Sequence, residues 1–136
     1  PFPSKKVRPC VFEYIYFARP DSILDGKTAY EHRKNIGAEL AKENNIDADI
    51  VVPVPDSGNA AALGFAQYLK INYEHGLIRN HYVGRTFIEP SQKIRSLGVK
   101  LKLNANQTTI KNKKRATVGK KNHNIMIVIP IREYVT

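Results

Sequence analysis

The stretch Asp49-Ile-Val-Val-Pro-Val-Pro-Asp-Ser-Gly-Asn-Ala-Ala-Ala-Leu63 constrains this chain more than any other. Its apolar run, residues 50–54, has the length and β-branched bias of a buried strand. The sequence Pro55-Asp56-Ser57-Gly58 then reads as a turn. Beyond it, Ala62, Phe65, Ala66 and Leu69 fall at the spacing of one helical face. The expectation is strand, tight polar turn, helix. Ser57 is expected to cap the helix through its hydroxyl, and Gly58 to adopt a backbone geometry that other residues resist. A helix start of this kind offers backbone N–H groups and a positive dipole end to an anion. The same pattern also describes an ordinary capped strand-turn-helix, so both readings stand at this point.

The remaining strands and helices alternate around this unit. Val11-Phe-Glu-Tyr-Ile-Tyr-Phe17 is aromatic and β-branched, which predicts a strand. Thr28 and Glu31 form a capping box for a helix that Asn44-Asn45 stops. Ala29, Arg33, Ile36 and Leu40 share one side of it, and Gly37 is expected to weaken it slightly. Residues 71–78 predict a short strand broken at Gly76. Residues 79–98 lack periodicity, and long irregular segments are often functional. Val99-Lys-Leu-Lys-Leu103 alternates like a half-exposed strand. Residues 111–124 read as a basic, turn-like segment, and 125–129 as a last buried strand ended by Pro130. This alternation argues an α/β fold with a mostly parallel sheet flanked by helices.

Composition narrows the function classes. At 136 residues, 42% hydrophobic and 25% charged, the chain is large enough for a core of its own. No apolar run approaches the ~20 residues that a membrane helix needs, and the first nine residues lack a signal core. The single cysteine, Cys10, suits a reducing compartment, so the expected location is the cytoplasm. The net charge is +10, and no acid lies between Glu89 and Glu133. That asymmetry suggests an anionic partner, whether nucleic acid, a phosphorylated metabolite or an acidic surface, or else a solvated basic loop. His32, His75, His81 and His123 show no metal-ligand spacing.

Three blocks coincide with a known family: Cys10-Val-Phe-Glu-Tyr-Ile-Tyr-Phe-Ala-Arg-Pro-Asp-Ser22, then Val52-Pro-Val-Pro-Asp-Ser-Gly58, then Gly76-Leu-Ile-Arg-Asn-His-Tyr-Val-Gly-Arg-Thr-Phe-Ile88. The third continues through Pro90, Gln92 and Arg95 to Lys102-Leu-Asn104. Together they closely resemble the amidophosphoribosyltransferases, and Tyr82-Val-Gly-Arg-Thr-Phe-Ile88 is the most specific part. The resemblance implies a partial type I phosphoribosyltransferase fold. It also implies an enzyme that transfers ammonia from glutamine to phosphoribosyl pyrophosphate, giving 5-phosphoribosylamine for purine synthesis. By that resemblance Asp56, Ser57 and Gly58 would hold pyrophosphate, with Arg79, Lys100 and Lys102 meeting phosphate. Ser57 would also contribute to a magnesium site. Tyr82, Arg85 and Ile88 would work in a mobile loop, 79–98, that closes over substrate and helps form the ammonia path. Cys10 matches the first ligand of the 4Fe–4S cluster carried by some members. Such a cluster needs four thiolates and this chain has one, so Cys10 is expected to be a small buried hydrophobe. The resemblance leaves a homo-oligomer open.

Two departures limit the expectation. The family's glutaminase domain is absent from this sequence. So is its acidic phosphoribosyl pyrophosphate motif, an apolar strand followed by two adjacent acids and a turn ending in Gly-Thr. Ile129-Pro130 stands where the acids belong, and Arg132-Glu-Tyr-Val-Thr136 replaces the turn. An apolar residue and a proline hold neither a sugar diol nor a metal. The expected organisation is therefore 1–110 as the front of a phosphoribosyltransferase domain and 111–136 as a divergent basic tail with one apolar strand. That tail is read as divergent or out of frame, the relic of a longer gene. The chain alone is expected to be inactive. The alternative is a non-catalytic basic module that binds nucleic acid or another polyanion, although no zinc-finger, stacking or helix-turn-helix pattern supports it.

Overall fold

The computed structural model describes residues 8–44, 46–86, 88–121 and 124–131, with side chains described as far as residue 119. Asn45, Phe87, His123 and the 132–136 segment with Glu133 lie outside the described residues. At the centre is β3 (Ile50–Pro53), buried along its whole length. It pairs in parallel with β4 (Asn72–Tyr73) on one side and with β7 (Arg115–Lys121) on the other. The last strand, β8 (Asn124–Ile131), runs antiparallel to β7 and completes the order β4-β3-β7-β8. The expected mostly parallel sheet with flanking helices is what forms.

Helix α1 (Ala29–Glu43) starts where the capping box placed it. The Glu31 N–H donates to the Thr28 hydroxyl at 3.1 Å, and the Thr28 N–H donates back to the Glu31 carboxylate at 2.9 Å. Ahead of it, β1 (Ile23–Leu24) and β2 (Lys27–Thr28) form a hairpin turned by Asp25 and Gly26, both at positive φ. Helix α2 (Asn59–Leu69) follows β3 and packs Ala61, Ala62, Phe65 and Ala66 onto Val51, Ala116 and Val118. The opposite sheet face is a smaller cluster of Ile50, Val52 and Ile110 with Leu77 against it. Ile110 ends the one-turn helix α4 (Gln107–Ile110).

The α1–α2 contact gives Gly37 a role beyond its effect on helix propensity. A Cβ built there would lie 1.9 Å from the Ala61 carbonyl oxygen, and one on Gly64 would lie 1.9 Å from that of Lys34. Each helix places a glycine against the other's backbone, so close approach requires both, whatever Gly37 costs in helix propensity.

Three segments depart from the sequence reading. Val11-Phe17 is helical rather than extended, ending in a π-helical turn, Glu13–Phe17, that buries Ile15. No neighbouring strand takes up its carbonyls. Instead the buried Arg33 guanidinium donates to the Tyr14 and Ala18 carbonyl oxygens at 2.9 and 2.7 Å, which overrides β propensity. Residues 99–102 belong to α3 (Gln92–Lys102), and the strand after it is β6 (Leu103–Ala105). The segment expected to be turn-like contains β7, whose Ala116, Thr117 and Val118 are buried in mid-sheet. Pro130 does not end β8 either. It pairs opposite Ala116 on an edge strand, where a missing N–H is tolerated. Cys10, expected to be buried, is exposed.

Candidate phosphate-binding turn and its flap

The turn 55–58 connects β3 to α2 at the end of the sheet where β3 stops. Gly58 is the N-cap residue at φ −85° and ψ −11°, and no side chain caps the helix. Both expectations for this turn are thus corrected. Ser57 is exposed and does not cap. Gly58 has an ordinary backbone conformation, and its requirement is space. A Cβ there would lie 2.7 Å from the Val118 carbonyl oxygen and 2.8 Å from that of Val54. The turn is pinned against β7, since the Val54 N–H donates to Val118 at 2.9 Å. The Gly58 N–H donates to Val54 at 2.9 Å and the Asn59 N–H to Asp56 at 3.3 Å. These two N–H groups of the helix start face inward in this conformation. Ser57 and the Asp56 carboxylate remain at the surface.

Arg79 reaches this turn from the end of β5 (Leu77–Arg79) and forms an ion pair with Asp56. Strand β5 pairs antiparallel with β6, Leu77 opposite Ala105 and Arg79 opposite Leu103. Everything between, residues 80–102, is a flap carried on this two-stranded base. Asn80 forms its first bend: its side-chain oxygen accepts from the Tyr82 N–H at 3.0 Å, and its own N–H donates to Lys102 at 2.8 Å. Tyr82, Arg85 and Ile88 are all exposed on the flap, Tyr82 completely.

Sequence reasoning missed how the flap is held. The Lys102 ammonium donates to the Gly84 carbonyl at 3.1 Å, so the end of α3 grips the loop through that side chain. Arg95 donates to the Glu89 carbonyl at 2.7 Å and to the Gln92 side chain at 2.9 Å. The Gln92/Arg95 spacing of three within a helix is the signal that could have found this. Two open hollows lie against α3 within the flap. One of about 480 Å³ is lined by Thr86, Arg95, Val99 and Lys100 among others. The other, of about 240 Å³, is lined by Val83, Ile94, Leu97 and Leu101 among others. Thus the structure brings Asp56, Ser57, Gly58 and Arg79 together. Tyr82, Arg85, Ile88, Lys100 and Lys102 sit on the flap, and Cys10 belongs to the segment before the π-helical turn.

No group of three or more His, Cys, Asp and Glu side chains among the described residues could hold a metal ion. None of their helices is long and apolar enough to cross a membrane.

No protein-family model matches the chain. Curated proteins do. It is 62% identical over 107 residues to the amidophosphoribosyltransferase of Rhizobium etli, covering 79% of this chain and 22% of that protein. It is 55% identical over 105 residues to that of Methanocaldococcus jannaschii, covering 77% and 22%. Among solved structures it superposes with a TM-score of 0.68 on glutamine phosphoribosylpyrophosphate amidotransferase from B. subtilis complexed with ADP and GMP. That match is 50% identical and covers 79% of this chain and 24% of that one. A structure described as the allosteric regulatory enzyme of purine biosynthesis matches at the same score and identity, covering 79% and 23%. The chain thus spans about a fifth of the length of the relatives it matches, and over most of its own length it is a segment of the amidophosphoribosyltransferase family.

Proposed function

We propose that this chain carries the pyrophosphate-gripping side of a phosphoribosyltransferase site. The protein of which it is a segment transfers ammonia from glutamine to phosphoribosyl pyrophosphate, giving 5-phosphoribosylamine. The observation that carries the reading is the turn 55–58, pinned to β7 at the head of α2 with Arg79 beside it. A helix start flanked by a guanidinium suits a diphosphate through its dipole and a planar donor fork. Gly58 lets the turn lie against the Val118 and Val54 carbonyls, where a Cβ would not fit.

The work of such a site is positioning and charge neutralisation. Arg79 neutralises the leaving pyrophosphate. The flap, with Tyr82, Arg85 and Ile88 at its exposed surface, folds over substrate and excludes water, helping to enclose the ammonia path. Lys100 lies on the flap helix and meets phosphate when the flap closes, whereas Lys102 keeps the loop attached through Gly84.

Magnesium fits the turn as a lightly held ion. The Asp56 carboxylate and the Ser57 hydroxyl supply surface oxygen donors, and magnesium characteristically takes one or two protein oxygens with phosphates and waters. When bound, it would offset phosphate charge. A 4Fe–4S cluster does not fit, because one exposed cysteine cannot replace four thiolates.

The acidic half of the site has no counterpart in this sequence, since Ile129-Pro130 supplies no oxygen donor for the ribose hydroxyls. The chain therefore binds without turning over. Calorimetry with inorganic pyrophosphate tests this. Saturable binding that Ser57→Ala weakens supports the reading, together with no ammonia-dependent phosphoribosylamine formation. Pyrophosphate bound no better than sulfate overturns the first part, and turnover by the purified chain overturns the second. No specific observation favours the nucleic-acid reading. Some of the basic charge of residues 93–121 has local partners, as with Lys102, Arg95 and Lys114, which pairs with Asp47 at 2.5 Å.

A further inference from the structure

We infer that Asp56 is an internal competitor for the phosphate-binding guanidinium. In the ligand-free chain it occupies Arg79, and an incoming diphosphate must take its place. The inference rests on the turn being a pyrophosphate site and adds how that site is held when empty.

Three observations carry it. First, the Asp56–Arg79 pair joins two parts of the molecule that are otherwise separate in sequence, the β3–α2 turn and the base of the flap. Second, the pair is single-pronged: one Arg79 Nη donates to one Asp56 oxygen, and no second prong accompanies it. The Arg79 Nε is buried and has no partner among the described groups. A guanidinium has five donors in a fixed fork, so Asp56 leaves part of it unsatisfied. The buried Nε is out of a ligand's reach, but a phosphate with several oxygens can engage both terminal nitrogens, a geometry that arginine favours. Third, both side chains keep solvent access, with 31% of the Arg79 and 48% of the Asp56 side chain exposed. Such a half-exposed pair is weak enough to be exchanged by a ligand.

The exchange has a functional consequence. While Asp56 holds Arg79, the strand that carries the flap is tied to the turn. When a diphosphate takes over the guanidinium, the Asp56 carboxylate is released next to the turn, where a cation accompanying the phosphates could meet it. Filling of the turn and freedom of the flap base are thereby coupled through one side chain.

The experiment is a double-mutant cycle on the full chain, with inorganic pyrophosphate as the probe and calorimetry as the readout. Asp56→Asn is expected to tighten binding about fivefold, the scale of a partly exposed ion pair. Arg79→Gln is expected to weaken it, and Asp56→Asn/Arg79→Gln to match Arg79→Gln alone. Loss of the Asp56→Asn effect in the Arg79→Gln background is the signature of competition. If Asp56→Asn acted only by removing a like charge, its effect would persist there unchanged, and that outcome overturns the inference. So does an Asp56→Asn variant that binds no tighter than the wild type. Arg79→Lys covers the case of a misfolded Arg79→Gln: Asp56→Asn must still tighten binding in that background, because the cation it competes for remains. Where neither wild type nor Asp56→Asn binds pyrophosphate, the reading of the turn fails and the competition falls with it. Where both bind equally, the turn stands and only the competition is lost.

Discussion

The α1–α2–β3–β7 block and the flap of residues 80–102 follow opposite rules. In the block, glycines lie against backbone. Gly37 meets Ala61, Gly64 meets Lys34, and Gly58 meets Val118, each with no room for a Cβ. Phe65, Ala61 and Val118 beside them are fully buried. In the flap, no residue of α3 is buried. Leu97 and Leu101 leave more than half of their surfaces in water. A Cβ at Gly98 would meet a side chain, the Thr86 methyl group at 2.9 Å, which can give way. The block therefore has one packing solution and the flap several. On the proposed function, a rigid block suits a turn that holds its shape, and a loosely packed flap suits closure over a ligand.

The largest test of this contrast is Phe65→Ala. Emptying that site at the α2–sheet contact is expected to destabilise the chain by about 4 kcal/mol, read as a shift in urea midpoint. A loss under about 1 kcal/mol would mean that the block repacks as freely as the flap and would erase the distinction. Next is Gly37→Ala. A methyl group 1.9 Å from the Ala61 oxygen must push the helices apart. The expected loss is about 3 kcal/mol, against a stabilisation of up to about 1 kcal/mol if helix propensity alone decided the outcome. The sign of the change therefore discriminates between the two readings of Gly37.

What could be read from sequence follows the same division. The parts governed by local rules were legible: the Ile50–Pro53 strand by its short β-branched run, the α1 start by Thr28 and Glu31, and the apolar face of α2. The turn was recognised as a turn, yet the reason for its glycine was not, because Gly58 answers to Val118, sixty positions away in the chain. Strand β7 was hidden because only Ala116-Thr-Val-Gly119 is apolar or small between basic flanks, and its burial comes from pairing with β3. The π-helical turn was hidden because its carbonyl partner, Arg33, lies a whole hairpin later. In α3 the alternation of Val99, Lys100, Leu101 and Lys102 mimicked a strand. The wider spacing of Ile94, Leu97 and Leu101 after Ser91 was the better signal, and Gly98 in its midst obscured it. The ion pair between Asp56 and Arg79 had no sequence signature, since it joins two separate elements.

The capping box offers a smaller test on the rigid side. Thr28→Ala is expected to cost about 1 kcal/mol. Hydrogen bonds from Thr28, first from its backbone N–H and then from its side chain, hold the Glu31 carboxyl below its usual range. A carboxyl depressed in the folded state stabilises above its unfolded value and loses that contribution as pH falls through the folded one. Acid titration of the melting temperature should therefore fall less steeply in Glu31→Gln than in the wild type below about pH 4. Parallel curves would show that the Glu31 charge contributes nothing to stability.

The smallest expected effect is the most telling about the flap. Leu97 is 57% exposed and faces the hollow with Ile94 and Leu101. Because the flap buries so little, Leu97→Ser should move the urea midpoint by no more than about 0.5 kcal/mol. Native-state hydrogen exchange then separates the two regions directly. Amides of α3 should open at a free energy well below that of β3 and β7, and Leu97→Ser should lower the α3 value while leaving the sheet unchanged. If instead α3 exchanges only through global unfolding, the flap is held as firmly as the block. Closure would then have to carry the sheet with it, against the tight backbone packing of α1 on α2 at Gly37 and Gly64.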